Sequence, residues 1–505
     1  MTKLKLRREG LALVAVLLIG LFLRLYDLGG ESIWLDEAFS IQMAKSNLSS
    51  VIEATTQDTY PPLYPILLHY WVSFFGDSEI STRLMSVLFG FLAVLMIYKV
   101  GILVSDRETG ILSAMILALS NFHIYYSQEA RMYSLMVLLT LASMYFFLRM
   151  LKSEGRADSI GYILSSSLLM YTHIYGLFII IAQNIYSFTE LILQRKDSKL
   201  NLKKWILLQL ILAVLFSPWV TVFMEQVIRA QSGKRIGWIP VPSVQSVIHS
   251  FKLYSGSYLL LSLFLVLSFF SVVGFKKFGE GIYWRDLFAS MWGFRWKIYL
   301  SNIKTGYFLL VWLSCPVILP FLISKFFTPI YWYRYTIVAS LAFYLLAAIG
   351  IRNLGPKLKF AVITLIVLGS LANVWEGYST VNKERWREMV DYIDTNAGEG
   401  DLVLFNANYA QIPFDYYSKR TDLVKKPFPE ETNIVDEDSV KKLDTSVKGY
   451  NRVWVVLAHS YDSQGLIKKS LDQSHNLLSS REYIGMSYAS NDEHHKLEAS
   501  LFEKR

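Results

Sequence analysis

Charge is scarce in this sequence. Asp, Glu, Lys and Arg make up only 18% of 505 residues, where a soluble globular protein carries about 25%. That shortage argues against an ordinary water-soluble domain. Cysteine is scarcer still. The single thiol, Cys315, lies inside an apolar run, so no intramolecular disulfide can form. No phosphate-binding glycine loop, dinucleotide fingerprint or metal-ligand spacing is visible. No cleavable leader is expected either. The N-terminal "MTKLKLRREG" is basic, but the apolar segment behind it is too long for a signal core and lacks a small-residue cleavage site. It reads as a retained first span.

What the chain does have is apolar length. Hydrophobic residues reach 53%, in runs such as "LALVAVLLIGLFLRLYDLG" (11–29) and "FAVITLIVLGSLANVW" (360–375). A helix needs about 20 such residues to cross the hydrocarbon core. About eleven apolar windows occur, from 11–28 to 359–376. The expected fold class is a polytopic α-helical membrane protein. Alternate connections are basic, among them the N-terminus and the stretches 149–156, 195–204, 276–304 and 351–359. By the positive-inside rule these face the cytoplasm. The net charge of +9 is therefore read as a topology signal rather than a nucleic-acid surface. The loops 29–81 and 224–255 then face outward, and so does the C-terminal tail.

Two domains are expected. Residues 1–376 form the membrane domain, including the outer loop 29–81. In that loop Pro61, Pro62 and Pro65 break any regular span. An interfacial segment is expected there, with Tyr60, Tyr64, Tyr70 and Trp71 at headgroup level. Residues 377–505 are mixed polar and apolar and fit a small α/β domain on the outside. Trp386, Met389, Val390 and Ile393 make one helical face, while "DLVLF" and "RVWVVLAH" read as strands.

Polar residues collect at the outward ends of the spans, where charge is costly and usually functional. Asp36 and Glu37 follow the first span in "ESIWLDEAFS". Asp58 and Tyr60 stand in "TTQDTYPPLY", and His69 in "LLHYW". Glu129 and Arg131 stand in "YYSQEARMYS", His173 and Tyr175 in "MYTHIYG", and Arg334 with Tyr335 in "YWYRYT". Arginine suits phosphate through its fixed fork of donors. A carboxylate suits the deprotonation of a hydroxyl. The set describes group transfer from a lipid phosphate, with Arg131 and Arg334 stabilising the leaving phosphate. Plainer readings exist: solvated loop acids at 36–37, a turn-fixing pair at 129 and 131, a headgroup anchor at Arg334, and a bundle histidine at 173. A divalent ion on Asp58, Glu129 or His173 is compatible with these residue types, though no cofactor is required.

These motifs resemble the GT-C glycosyltransferases, and within them the protein-O-mannosyltransferase and aminoarabinose-transferase-like superfamily. The resemblance runs through "WLDEAFS", "DTYPPLYPILLHYW", "YSQEARMYSL", "YTHIYGLF", "GWIPVPSV" (237–244) and "YWYRYTIVASLAFYLLAAIGI" (331–351). It implies a polyprenyl-phosphate-linked sugar donor, an outward active site and inversion at the anomeric carbon. It implies Asp36 as the general base, with Glu37 organising the site, and an acceptor hydroxyl on a protein, lipid or glycan. Many relatives have His where Tyr60 precedes the two prolines, which weakens the transfer of a family metal site or of acceptor specificity. The implied location is the plasma membrane. A lipid or glycan transporter is the alternative, but transporters show repeats and midplane charges. No obvious repeat is present here. A third reading is a scaffold that displays the tail domain.

Overall fold

The computed structural model describes residues 3–153, 155–193, 201–231, 239–277, 296–300, 303–430, 432–485 and 495–505. Arg195, Lys196, Lys199, Arg285 and Arg295, and Gly237 and Trp238 of the middle-loop motif, lie outside them. The chain divides into two compact units. The first comprises Met1–Tyr26, Ser49–Leu67 and Leu84–Trp375. The second comprises Asp27–Leu48, Leu68–Arg83 and Glu376–Arg505. The last passage between the units falls between Trp375 and Glu376, where the sequence reading put its boundary at 376/377. The segments 27–48 and 68–83, assigned from sequence to the membrane domain, share the unit of the C-terminal residues instead.

The first unit is helical. Among the described residues, five helices are long and apolar enough to cross a membrane: Glu79–Val104, Tyr133–Lys152, Leu202–Arg229, Ile303–Phe326 and Pro356–Ser379. The most apolar one, Glu79–Val104 with 26 residues, is about 39 Å at 1.5 Å per residue, more than a bilayer core requires. Val244–Ser255 and Tyr258–Val272 meet at 91° and would make a sixth as a broken span. The protein is thus an integral membrane protein with several apolar helices, where the sequence reading expected about eleven spans. Part of the difference is physical. Several expected windows are interrupted, as at Ser120, which ends Arg107–Leu119 and caps Asn121–Ser127.

Two observations show how this unit is built. The outward faces are greasy: in Pro356–Ser379 only 22% of the apolar window is buried, and Phe360 and Trp375 are exposed. Such faces suit lipid, since a soluble surface rarely carries contiguous apolar area. By contrast, every residue from Ile337 to Ile351 is buried. An all-round apolar helix belongs in a core. Its neighbours anchor it. The Tyr344 hydroxyl donates to the Tyr254 carbonyl at 2.7 Å, and Trp312 Nε1 donates to the Val338 carbonyl at 3.2 Å. At Gly350 a Cβ would stand 2.0 Å from the Leu267 carbonyl oxygen, so the close approach there requires glycine.

The second unit carries a five-stranded sheet. In chain order β1 is Val273–Lys277 and β2 is Trp296–Leu300, an antiparallel pair of the first unit. The sheet itself is built from β3 (Leu402–Asn406), β4 (Val424–Pro427), β5 (Arg452–Ala458), β6 (His475–Gly485) and β7 (His495–Lys504), in spatial order β4-β3-β5-β7-β6. β3 runs parallel to β4 and β5, whereas β7 is antiparallel to β5 and β6. Both faces are covered, as expected where strands are parallel. Val403 and Phe405 pack with Trp386, Met389, Val390 and Ile393 on one face. Leu402 and Leu404 pack with Ile467 and Leu471 on the other. The helical face read from sequence at 386–393 is therefore the face that enters the core, and both strands read from sequence are present.

Candidate active site

The acids come first. Leu35–Lys45 is a helix with Asp36 and Glu37 in its first turn, where acidic side chains complement the positive helix end. The two diverge. Glu37 is sealed from solvent, and Asp36 is only partly covered. Arg83 grips Glu37 with two prongs, Nε to Oε1 at 2.9 Å and Nη2 to Oε2 at 2.7 Å. Its other three protons go to the carbonyls of Leu28, Glu31 and Ser32. Lys383 adds a third contact, Nζ to Glu37 Oε2 at 3.2 Å. A buried carboxylate needs such partners. The sequence reading paired Glu37 with Asp36 at the chemistry; the structure gives it the surroundings of an anchor. His69 is also tied inside this unit, its Nδ1 2.8 Å from the Ala44 carbonyl.

The remaining candidates lie in the first unit, and most of them meet. Glu129 and Arg131 occupy the turn between Asn121–Ser127 and Tyr133–Lys152, with the Arg131 N–H donating to the Glu129 carbonyl at 2.8 Å. His173 and Tyr175 occupy the turn before Gly176–Ile192. Arg334 and Tyr335 precede the buried helix Ile337–Arg352. The Leu63 N–H donates to the Tyr171 carbonyl at 3.0 Å, which draws the Tyr60 segment to the His173 turn.

The Tyr60 and Tyr335 hydroxyls lie 2.8 Å apart. The Arg131 guanidinium stands 5.0 Å over the Tyr60 ring and that of Arg334 5.8 Å over Tyr335. The His173 ring is 5.4 Å from Tyr60, 5.0 Å from Tyr335 and 5.5 Å from Tyr175, centroid to centroid. Tyr64, expected at headgroup level, is instead buried, its hydroxyl 3.1 Å from Ser86 Oγ. Asp58 turns to its own backbone, Oδ1 accepting the Thr59 N–H at 2.7 Å.

Two buried polar atoms of this cluster have no hydrogen-bond partner among the described residues: the Tyr133 hydroxyl and His173 Nε2. His173 Nδ1 accepts the Tyr175 N–H at 3.1 Å. In the neutral ring Nε2 then carries the proton. Both groups are therefore donors seeking an acceptor. Buried groups of this kind are uncommon and call for an explanation. With Arg131 and Arg334 bearing on the same ring, an anionic oxygen ligand is the natural one. A cation is a poorer match. Among the described residues no group of three or more His, Cys, Asp or Glu is close enough to hold a metal, so Asp58, Glu129 and His173 do not form such a set.

Residues 59–221 match the family model for dolichyl-phosphate-mannose-protein mannosyltransferase. The fold is similar to that of ArnT from Cupriavidus metallidurans bound to undecaprenyl phosphate, with a TM-score of 0.58 at 12% identity over 98% of this chain and 97% of that one. It is also similar to the oligosaccharyltransferase AglB from Archaeoglobus fulgidus in complex with an inhibitory peptide and a dolichol-phosphate. There the TM-score is 0.54 at 12% identity, over 94% of this chain and 73% of that one. The chain shares the fold of these two proteins, and about a third of it, residues 59–221, carries the similarity to the mannosyltransferase family. No sequence among the curated proteins matches it.

Within this fold, sequence reasoning missed Tyr133, Arg83, Lys383, Glu384 and His459. Tyr133 had a signal, two residues after Arg131 in "EARMYS". The other four had none, because their partners are distant in the chain. Lys383 lies 346 residues from Glu37.

Proposed function

We propose that the protein moves one sugar from a polyprenyl-phosphate carrier to an acceptor hydroxyl on the exoplasmic face of the plasma membrane. The observation that carries this reading is the pair of buried orphan donors, Tyr133 and His173, beside two guanidinium groups. Such an array suits a phosphate whose charge grows as it departs. The lipid phosphates bound in the two related structures are of the same chemical class.

In the proposed step the acceptor O–H gives its proton to Asp36. The acceptor oxygen attacks the anomeric carbon from the face opposite the phosphate. The carbon–oxygen bond to phosphate breaks, its electron pair stays on the phosphate, and the sugar leaves with inverted configuration. Arg131, Arg334, His173 and Tyr133 meet the developing charge. Tyr60, Tyr175 and Tyr335, with Glu129 and Asp58, shape the pocket. Glu37 holds the Asp36 helix through Arg83. The basic N-terminus is cytoplasmic and the C-terminal unit outside. Acceptor protein, lipid or glycan all present the required hydroxyl.

The test is incubation of membranes with a panel of polyprenyl-phosphate sugars, followed by mass spectrometry for acceptors that gain a hexose or pentose. Wild-type membranes should form product and release polyprenyl phosphate, while Arg131→Ala with Arg334→Ala should do neither. Turnover of no donor in the panel, or full turnover by the double variant, would overturn the reading.

A further inference from the structure

The residue ahead of the acid helix cannot cap it. Trp34 is the N-cap of Leu35–Lys45 and offers no side-chain cap hydrogen bond, although the first N–H groups of a helix require acceptors. The Leu35 N–H finds one far away, on Glu384 Oε2 at 3.1 Å, across 349 positions of chain. Glu384 is fully buried. Trp386 Nε1 also donates to Oε2. His459 Nε2 lies 2.6 Å from Oε1.

The flanking residues act on the same stretch. The Asn382 N–H donates to the Glu31 carboxylate, and Lys383 reaches Glu37. Ile33, Ala38 and Ile41 pack against Ile412, Tyr416 and Tyr417. The acid helix is thus held by three consecutive residues, 382 to 384, and by an apolar seat.

We infer that Glu384, backed by His459, is a positioning residue for Asp36: it caps the helix one residue before that acid and fixes where its carboxylate points. This rests on the reading of Asp36 as general base. The charged and titratable groups facing His459 include Glu384 and Asp36, with the Tyr409 ring 6.3 Å away. Burial draws the His459 pKa down. The charge and hydrogen bond of Glu384, with the charge of Asp36, outweigh it, and His459 titrates above its ordinary value. As pH rises through that value, Glu384 loses its cationic partner. The C-terminal unit is then part of the catalytic apparatus and not a detachable display.

The experiment compares full-length Glu384→Ala, Glu384→Gln, His459→Gln and Asp36→Asn in membranes, reading kcat, donor KM and polyprenyl phosphate binding. A misplaced catalytic group costs on the order of 100-fold in rate, so Glu384→Ala should lose about that in kcat with donor KM and binding unchanged. Glu384→Gln, whose amide oxygen still accepts the Leu35 N–H, should recover most of it. His459→Gln should remove one step from the alkaline side of the kcat–pH profile. Wild-type kcat in Glu384→Ala, no recovery in Glu384→Gln, or an unaltered pH profile in His459→Gln would overturn the inference. Should Glu384→Ala fail to accumulate, the other two variants decide it. Full transfer by Asp36→Asn would remove the underlying reading as well, whereas an inactive Asp36→Asn beside a fully active Glu384→Ala would remove this inference alone.

Discussion

Glu37 and Arg83 form a two-pronged ion pair with both side chains sealed from solvent. All five guanidinium protons are engaged, two on Glu37 and three on carbonyls of residues 28, 31 and 32. Removing one partner of a buried pair costs about 3–5 kcal/mol, because the other charge is left uncompensated. Arg83→Ala and Glu37→Ala should each lower the unfolding temperature in detergent sharply. Arg83→Lys should rescue little, since an ammonium cannot reproduce the fork. Stability equal to wild type in Arg83→Ala would contradict the anchoring role.

Tyr133 should behave in the opposite way. Its buried hydroxyl has no partner among the described residues, and leaving such a group unsatisfied costs about 1–3 kcal/mol. Tyr133→Phe should therefore unfold at the same temperature as wild type or higher, yet bind polyprenyl phosphate more weakly, by about tenfold for one lost charge-assisted hydrogen bond. Titration of purified protein with the lipid phosphate measures both. Loss of stability without loss of affinity would make Tyr133 a packing residue.

A pH dependence follows from His459. Its pKa is raised in the fold above 6.5. Its contribution to stability is therefore fully present below the unfolded value and is lost as pH rises through the higher folded value. Thermal unfolding scanned across neutral pH should show this decline in wild type. His459→Gln should flatten it. A decline that survives the substitution would assign it to another group.

Gly350 offers a check on the helical core. A methyl there would meet the Leu267 carbonyl oxygen at 2.0 Å, and overpacking costs about 1–3 kcal/mol. Gly350→Ala should reduce the folded yield in membranes, and Gly350→Val should reduce it further. Normal yield of Gly350→Val would show that the two helices can separate freely.

Patterns that repeat locally were readable in advance. Apolar run length announced the membrane class, and the spacing of Trp386, Met389, Val390 and Ile393 announced a buried helical face. The convergence of Tyr60, His173 and Tyr335 was readable in outline, because polar residues at the ends of apolar spans have few places to go. Tyr64 misled, since tyrosine suits a headgroup belt and a buried hydroxyl partner equally well. Arg83 and Glu384 were hidden because nothing local distinguishes a surface charge from one that meets a buried helix end hundreds of residues away. The second unit's discontinuous make-up was hidden for the same reason: segments 27–48 and 68–83 carry no composition that marks them as neighbours of the tail.

The central claim is that Asp36 takes the acceptor proton while Arg131, Arg334, His173 and Tyr133 hold the leaving phosphate. The most direct measurement is sugar transfer by Asp36→Asn, with polyprenyl phosphate binding followed on the same preparation. General-base removal costs about 100- to 10,000-fold, so transfer should fall by that factor while binding stays at the wild-type level. Transfer at the wild-type rate by Asp36→Asn would contradict the account.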